Sequence, residues 1–197
     1  ATGKEIHYED VYTEGITAVT DTDFQYAAKF QASIKLFGSS RMEDGRVTDF
    51  CMPYDDSSGE PLYCVSDVYN AVMVKGNMVG TLMFYGSGAG KLPTASAVVA
   101  DIMEIAGNMD RNIPIGWSDE RQELSPVTEA RFSYFLRVEG RLEEKRAEIE
   151  AAFGPSRFAE LPGMDEFAVL TGEMTEEHYR KVSAAFGDIR QMIRAQI

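Results

Sequence analysis

The sequence predicts an α+β fold in which a mixed β-sheet with helices is followed by a smaller unit of order βαββαβ. Over the first hundred positions, runs of β-branched and aromatic residues alternate with turn residues, a pattern typical of strands joined by hairpins. After residue 130, short strand patterns alternate with two helix patterns. Hydrophobic residues make up 44% of the 197 positions, which is enough for a packed core.

Composition narrows the class of protein. A net charge of −13, most of it before residue 130, argues against binding to nucleic acid or to an anionic membrane through bulk electrostatics. No apolar run approaches the roughly 20 residues of a membrane-spanning helix, and no apolar secretory segment is visible at the start. Cys51 and Cys64 are the only cysteines and lack metal-ligand spacing, so we expect a cytoplasmic protein without a disulfide or zinc site.

The first elements follow from caps and turns. Thr20 and the carboxylates after it predict the start of a helix that ends near Ala32. Residues 33–38 and 46–51 read as two strands, and Asp44-Gly45 predicts the hairpin turn between them. The acidic segment 54–61 is expected to be a loop. It lacks the ligand spacing of a calcium-binding loop, so no metal site is predicted there.

A second hairpin leads to the most informative segment of the chain. Residues 67–75 and 78–85 read as strands joined by a turn at Gly76-Asn77. A helix is expected to begin near Thr94, and the apolar spacing of residues 95–106 predicts that it is mostly buried.

Between this hairpin and this helix lies the segment from Tyr85 to Thr94, which we call the glycine loop. Its glycines at 86, 88 and 90 let the backbone turn sharply and let a ligand approach the main chain. The N–H groups of the following helix favour negative charge. The spacing fails the dinucleotide-binding pattern, since the third glycine would fall at Lys91. The residues alone therefore leave two readings open, a ligand-contacting loop and a tight turn between strand and helix.

The sequence pattern changes after this helix. Residues 107–129 are polar and irregular, and their length predicts a linker in which Trp117 pins the segment to a domain surface. Beyond it the order βαββαβ is that of the ferredoxin-like arrangement, an antiparallel sheet with two helices on one face. Strands are predicted at 132–138, 156–161, 166–171 and 189–195, and helices at 141–153 and from the cap Thr175 to 186. The predicted domains are 1–107, a linker at 108–130, and 131–197.

Residues 5–107 contain four informative motifs: residues 11–16 (VYTEGI), 34–38 (IKLFG), 68–72 (VYNAV), and the glycine loop continuing through PTASAVVADI to Ile102. Together these motifs make this part of the chain resemble the C-terminal part of a homoserine dehydrogenase. The resemblance implies part of a catalytic and dimerisation region. In that family a Rossmann domain precedes this region, and the catalytic lysine and the substrate-binding acidic residues lie on the segment before the position of Glu9.

The resemblance implies only cofactor contacts in this chain. Gly90 matches the family glycine that touches the nicotinamide cofactor from the catalytic domain, with Gly88 and Ala89 beside it. No catalytic residue is carried over, and the nucleotide-binding domain is expected to be absent. Lys35 does not match the catalytic lysine, and we expect it to be structural. The cofactor implied is NADP or NAD, and the choice between them lies outside these residues.

Residues 131–197 resemble the ACT domain that many bacterial members append, an amino-acid-sensing module. They depart from its effector-binding turn, since the stretch from Val138 lacks the proline and places Glu143 and Glu144 in the first helical turn. Two carboxylates there suit the helix dipole but would repel the carboxylate of an amino acid. This favours a structural or dimerising role over effector binding.

Two functions follow as hypotheses. The first is the C-terminal part of a homoserine dehydrogenase, an oxidoreductase that interconverts L-homoserine and L-aspartate 4-semialdehyde with NAD(P) in threonine, methionine and isoleucine biosynthesis. The fragment by itself is expected to be inactive. The second is a non-catalytic regulatory or scaffolding protein built from an oligomerising sheet and an ACT-like module. Both predict self-association into a homodimer or higher homo-oligomer.

Overall fold

The structure is a computed structural model that describes residues 3–43, 45–57 and 61–196. Contacts divide the chain into two compact units, residues 1–58 with 117–197 and residues 59–116. The predicted division at 1–107, 108–130 and 131–197 remains a prediction about modules.

The larger unit begins with a short strand, β1 (Tyr12–Thr13), and helix α1 (Asp21–Lys29). The cap at Thr20 is confirmed: its N–H donates to the Asp23 carboxylate at 2.6 Å. The helix ends before the predicted Ala32, and Gln31 adopts a positive φ of 62° where the chain turns.

Strands β2 (Ala32–Glu43) and β3 (Arg46–Ser57) are antiparallel and twice as long as the sequence patterns suggested. Asp44 of the predicted turn lies outside the described residues, and Gly45 has a φ of 77°. The segment 54–61 is not simply a loop, since 54–57 continue β3 and Pro61 begins a 3-10 turn. Residues 58–60 lie outside the described residues.

The second half of this unit has the predicted order βαββαβ. Its strands are antiparallel in the spatial order β10–β6–β8–β7. An additional short strand, β9 (Met174–Thr175), pairs with β6. The elements are β6 (Arg131–Glu139), α3 (Leu142–Phe153), β7 (Arg157–Glu160), β8 (Glu166–Leu170), α4 (Glu176–Ser183) and β10 (Ile189–Gln196). Helix α4 stops short of the predicted Phe186, and the other bounds agree closely.

This sheet is covered on both faces. On one face α3 and α4 bury Ile149, Phe153 and Tyr179 against alternate residues of β6 and β8. On the other face α1 buries Tyr26, Ala27 and Phe30 against the remaining residues of the same strands. Strand β8 is consequently buried along its whole length.

The sheet also continues beyond the βαββαβ unit. Strand β10 pairs in parallel with β3, in a register that places Arg194 opposite Tyr54. Parallel pairing joins segments far apart in the chain, and here it fuses strands β1 to β3 and the βαββαβ part into one sheet.

The smaller unit contains the predicted hairpin and the helix that follows it. Strands β4 (Tyr69–Gly76) and β5 (Gly80–Ser87) pair in antiparallel register, with Asn70 opposite Gly86. Helix α2 spans Lys91–Gly107 and has no buried residue, so the expectation of a mostly buried helix is wrong for this chain. Its large apolar side chains are exposed, and Ile102 and Met103 are 59% and 69% exposed.

Candidate cofactor-contact site

The glycine loop lies at the end of the hairpin, as predicted. Strand β5 ends at Ser87, and the N–H of Gly88 donates to the carbonyl of Val68 at 2.9 Å. Gly90 then occupies the position before the helix with a φ of 117°. An L-residue rarely adopts this conformation, so the backbone itself requires glycine at 90.

Helix α2 begins at Lys91, somewhat earlier than the expected Thr94. Pro93 lies within the first turn, where the missing N–H costs the helix nothing because that position has no intrahelical acceptor. The carbonyl of Gly90 accepts from the N–H of Thr94 at 3.1 Å and from its hydroxyl at 2.9 Å. These two bonds fix the end of the loop to the first helical turn.

The electrostatics of this helix start differ from those of the other helices. Helices α1, α3 and α4 each carry two acidic residues in the first turn, which suits the positive end of the helix dipole. Helix α2 has none and places Lys91 at its first position. Its first N–H groups therefore remain uncompensated by carboxylates and are directed toward the loop.

The space around the loop would let a ligand approach the main chain closely. A Cβ built on Gly86 would meet nothing within 4 Å, and one on Gly90 would meet only the ring of Pro93. The three residues carried over from the resemblance, Gly88, Ala89 and Gly90, are exposed. The backbone of these three residues is therefore accessible from outside the loop.

Other residues singled out from the sequence lie elsewhere. Lys35 is in β2 of the larger unit and is half-buried. Trp117 is 79% exposed, so the described residues do not show it packed against a domain surface as expected. Cys64 carries an exposed free thiol.

Metal and membrane features were sought in the same residues. The described part of the chain holds no group of three or more His, Cys, Asp or Glu side chains placed to bind a metal ion. Among its helices none is long and apolar enough to cross a membrane.

The turn after β6 has the features that the sequence indicated. Glu143 and Glu144 occupy the first turn of α3. Gly140 has a φ of 102°, and a Cβ there would lie 3.1 Å from Cε of Lys145. The Lys145 ammonium pairs with Asp188, so its side chain folds over the turn. In this conformation the lysine occupies space beside the helix start.

Two buried charge networks were not foreseen from the sequence. In the first, Arg194 of β10 is 1% exposed and donates to Glu176 at 2.7 Å and to Glu14 at 2.8 Å. The hydroxyl of Tyr134 also donates to Glu176, at 2.9 Å. Burial on its own would lower the pKa of Arg194, but the two carboxylates raise it above its ordinary value.

The second network fastens α1 to the sheet. Arg137 of β6 donates to Asp23 at 2.8 Å and to both oxygens of Glu166, at 2.9 and 3.0 Å. Burial would lower the pKa of Arg137, and its hydrogen bonds to Glu166 and Asp23 outweigh that effect and raise it. Asp23 has no exposed surface. No local pattern marks these partners, since they lie on three separate elements, α1, β6 and β8.

A recess of about 380 Å³ also lies in the larger unit. It is lined mainly by residues 9–13 and 124–127, with Asp49 between them. Oδ1 of Asp49 is buried and has no hydrogen-bond partner among the described residues. No sequence pattern indicated this recess.

Comparison with known proteins identifies the class. The family model for homoserine dehydrogenase matches residues 1–103, more than half of the chain. The homoserine dehydrogenase of Neisseria gonorrhoeae is 31% identical over 94% of the chain, and that of Mycobacterium leprae is 45% identical over 51%. The chain belongs to the homoserine dehydrogenase family.

Solved structures agree. The homoserine dehydrogenase of Thiobacillus denitrificans has a TM-score of 0.79 and 26% identity over 98% of this chain. A structure of the Staphylococcus aureus homoserine dehydrogenase has a TM-score of 0.70 and 30% identity, also over 98% of this chain. The chain spans about half the length of these relatives, 47% of the Neisseria protein and 49% of the Thiobacillus one.

Proposed function

We propose that this chain is the C-terminal part of a homoserine dehydrogenase that interconverts L-homoserine and L-aspartate 4-semialdehyde with NADP or NAD. The match of residues 1–103 to the family, which includes the glycine loop, carries this proposal. The reaction belongs to threonine, methionine and isoleucine biosynthesis, and we place it in the cytoplasm.

The role of this chain in the reaction is to hold and orient the nicotinamide cofactor. The nicotinamide cofactor, when bound, supplies the hydride chemistry. Gly88, Ala89 and Gly90 would contact it through their backbone, because the loop is exposed and a Cβ at 90 would be strained. Under this proposal the described residues supply no catalytic acid or base, and the main cofactor site lies outside them.

We assign a structural role to the βαββαβ part, which we regard as ACT-like. Two observations support that role. Lys145 folds over the turn at Gly140, and the module shares its sheet with strands β1 to β3 through the pairing of β3 and β10. The second candidate function, a non-catalytic scaffold, rests on the same fused sheet.

The two candidates differ in turnover. We expect the 197-residue chain to show no NAD(P)-dependent oxidation of homoserine, because under this proposal the nucleotide-binding domain and the catalytic lysine lie outside it. The protein made from the complete native reading frame should oxidise it. Turnover by the printed chain alone would refute the inactive fragment. An inactive protein from the complete frame would favour the scaffold.

A further inference from the structure

In the smaller unit, the side chain of Asn70 lies close to Gly88, a glycine that the backbone conformation does not require. Gly88 has no positive φ, so alanine could adopt its conformation. Yet a Cβ built on Gly88 would overlap Nδ2 of Asn70 and lie 2.6 Å from its Cγ. Real Cβ atoms essentially never lie within 3.0 Å of another atom, so a side chain at 88 would require the carboxamide of Asn70 to move from its present position.

Asn70 is well placed to constrain the loop. It lies in β4 opposite Gly86, and just before it the carbonyl of Val68 accepts the N–H of Gly88. The same segment therefore holds Gly88 by a backbone hydrogen bond and by a side chain packed over its α-carbon. Asn70 is exposed, and its carboxamide makes no side-chain hydrogen bond within the described residues. Its evident contact is with the loop.

We propose that Asn70 is a positioning residue for the glycine loop: its carboxamide fills the space beside Gly88 and holds residues 88–90 in the conformation that meets the cofactor. This inference rests on the proposed cofactor contact of the loop. Loss of the constraint would leave the loop in its binding-competent conformation for only part of the time. The apparent affinity for the cofactor then falls by that fraction, while the groups that react are untouched.

The test uses a steric pair with a matched control. Gly88→Ala introduces the clash, and Asn70→Ala removes both close atoms, leaving only the Asn70 Cβ at 3.2 Å. Gly107→Ala is the control, since Gly107 lies at the far end of α2, outside the glycine loop, a Cβ there meets nothing within 4 Å and its φ is not positive. All variants are made in the protein from the complete native reading frame. NAD(P)H affinity is measured by fluorescence titration, and loop conformation by the amide chemical shifts of Ala89 and Gly90 without nucleotide.

We expect Gly88→Ala to weaken NAD(P)H binding by about tenfold or more and Asn70→Ala by several-fold. The double variant should bind more tightly than Gly88→Ala alone, and Gly107→Ala should match the wild type. Both single variants should shift the amides of Ala89 and Gly90, and turnover at saturating cofactor should change less than affinity.

Two results overturn the inference while leaving the cofactor contact intact. One is a Gly88→Ala variant that binds and folds like Gly107→Ala. The other is a double variant no better than Gly88→Ala. Wild-type protein that binds no NAD(P)H overturns the proposed function instead, and the amide shifts then still decide whether Asn70 sets the loop conformation.

Discussion

Arg194 is a buried charge whose partners are brought together only by the tertiary structure. Its guanidinium joins Glu176 of α4 and Glu14 near the N-terminus, so one side chain links three distant segments. Removing one partner of such a pair leaves the others buried without compensation, at a cost of about 3–5 kcal/mol.

Replacing Arg194 by methionine should therefore lower the free energy of unfolding by about that amount, because Glu176 loses its main donor. Urea unfolding followed by circular dichroism measures the change. Arg190→Met is the matched control, since Arg190 lies on the same strand but pairs with Glu139 at an exposed site. Equal effects of the two substitutions would contradict a special role for the buried network.

Glu176 makes the same network sensitive to acid. Burial on its own raises the pKa of its carboxyl, but hydrogen bonds from Arg194, Arg180 and Tyr134 lower it below the ordinary value of 4.5. The folded protein thus binds fewer protons at this site than the unfolded chain does. The stabilisation is complete above pH 4.5 and is lost as the pH falls from there through the folded pKa.

We expect Glu176→Gln to be less stable than the wild type at pH 7 and the difference to shrink below pH 4.5. Urea unfolding midpoints across that range test this. A gap that stays constant down to pH 3 would show that the charge of Glu176 is not what stabilises the fold.

At the scale of elements, α1 is attached by more than its apolar face. Asp23 lies in its first turn, accepts the N–H of Thr20 and pairs with Arg137 of β6. Its neighbour Asp21 lies in the same turn and is exposed. Both carboxylates interact favourably with the helix dipole, but Asp23 also pairs with Arg137 of the sheet.

Asp23→Ala should destabilise the protein by about 3 kcal/mol, because the cap is lost and Arg137 loses one buried partner. Asp21→Ala removes only the favourable interaction with the dipole and should have a small effect. The comparison of the two urea midpoints is the measurement. If both variants behaved alike, attachment of α1 through Arg137 would be unsupported.

The element predictions succeeded where the signal was local. The cap at Thr20, the hairpin of β4 and β5 and the order βαββαβ were all confirmed, because caps, turns and alternation act within a few residues. The lengths of β2 and β3 were underestimated, since polar residues at 39–43 and 54–57 weaken the strand pattern. There, pairing between the two strands prevails over propensity.

At the scale of the whole molecule, the smaller unit exposes an unusual amount of apolar surface. On its hairpin Val72 and Phe84 are 63% and 65% exposed, and α2 is uncovered along its length. Large apolar patches of this kind are covered in the working assembly of a protein.

We expect the chain to self-associate at micromolar concentration, with the hairpin in the interface. Phe84→Glu should weaken the association, and Tyr8→Glu should not, although Tyr8 is 73% exposed in the larger unit. Multi-angle light scattering gives the mass of each. A monomeric wild type would contradict the expectation.

The sequence by itself predicted most of the elements and their order, and it indicated the glycine loop as a candidate ligand contact. It could not distinguish the reasons for the glycines: Gly90 is required by its φ, whereas a side chain at Gly88 would displace Asn70 of strand β4. Only the tertiary structure decided that strands β1 to β3 and the βαββαβ part share one sheet and that α1 covers the second face of that sheet. It also decided which carboxylates pair with Arg194 and Arg137. Local patterns encode what neighbouring residues do, while pairings between distant strands and buried charges depend on the fold that brings them together.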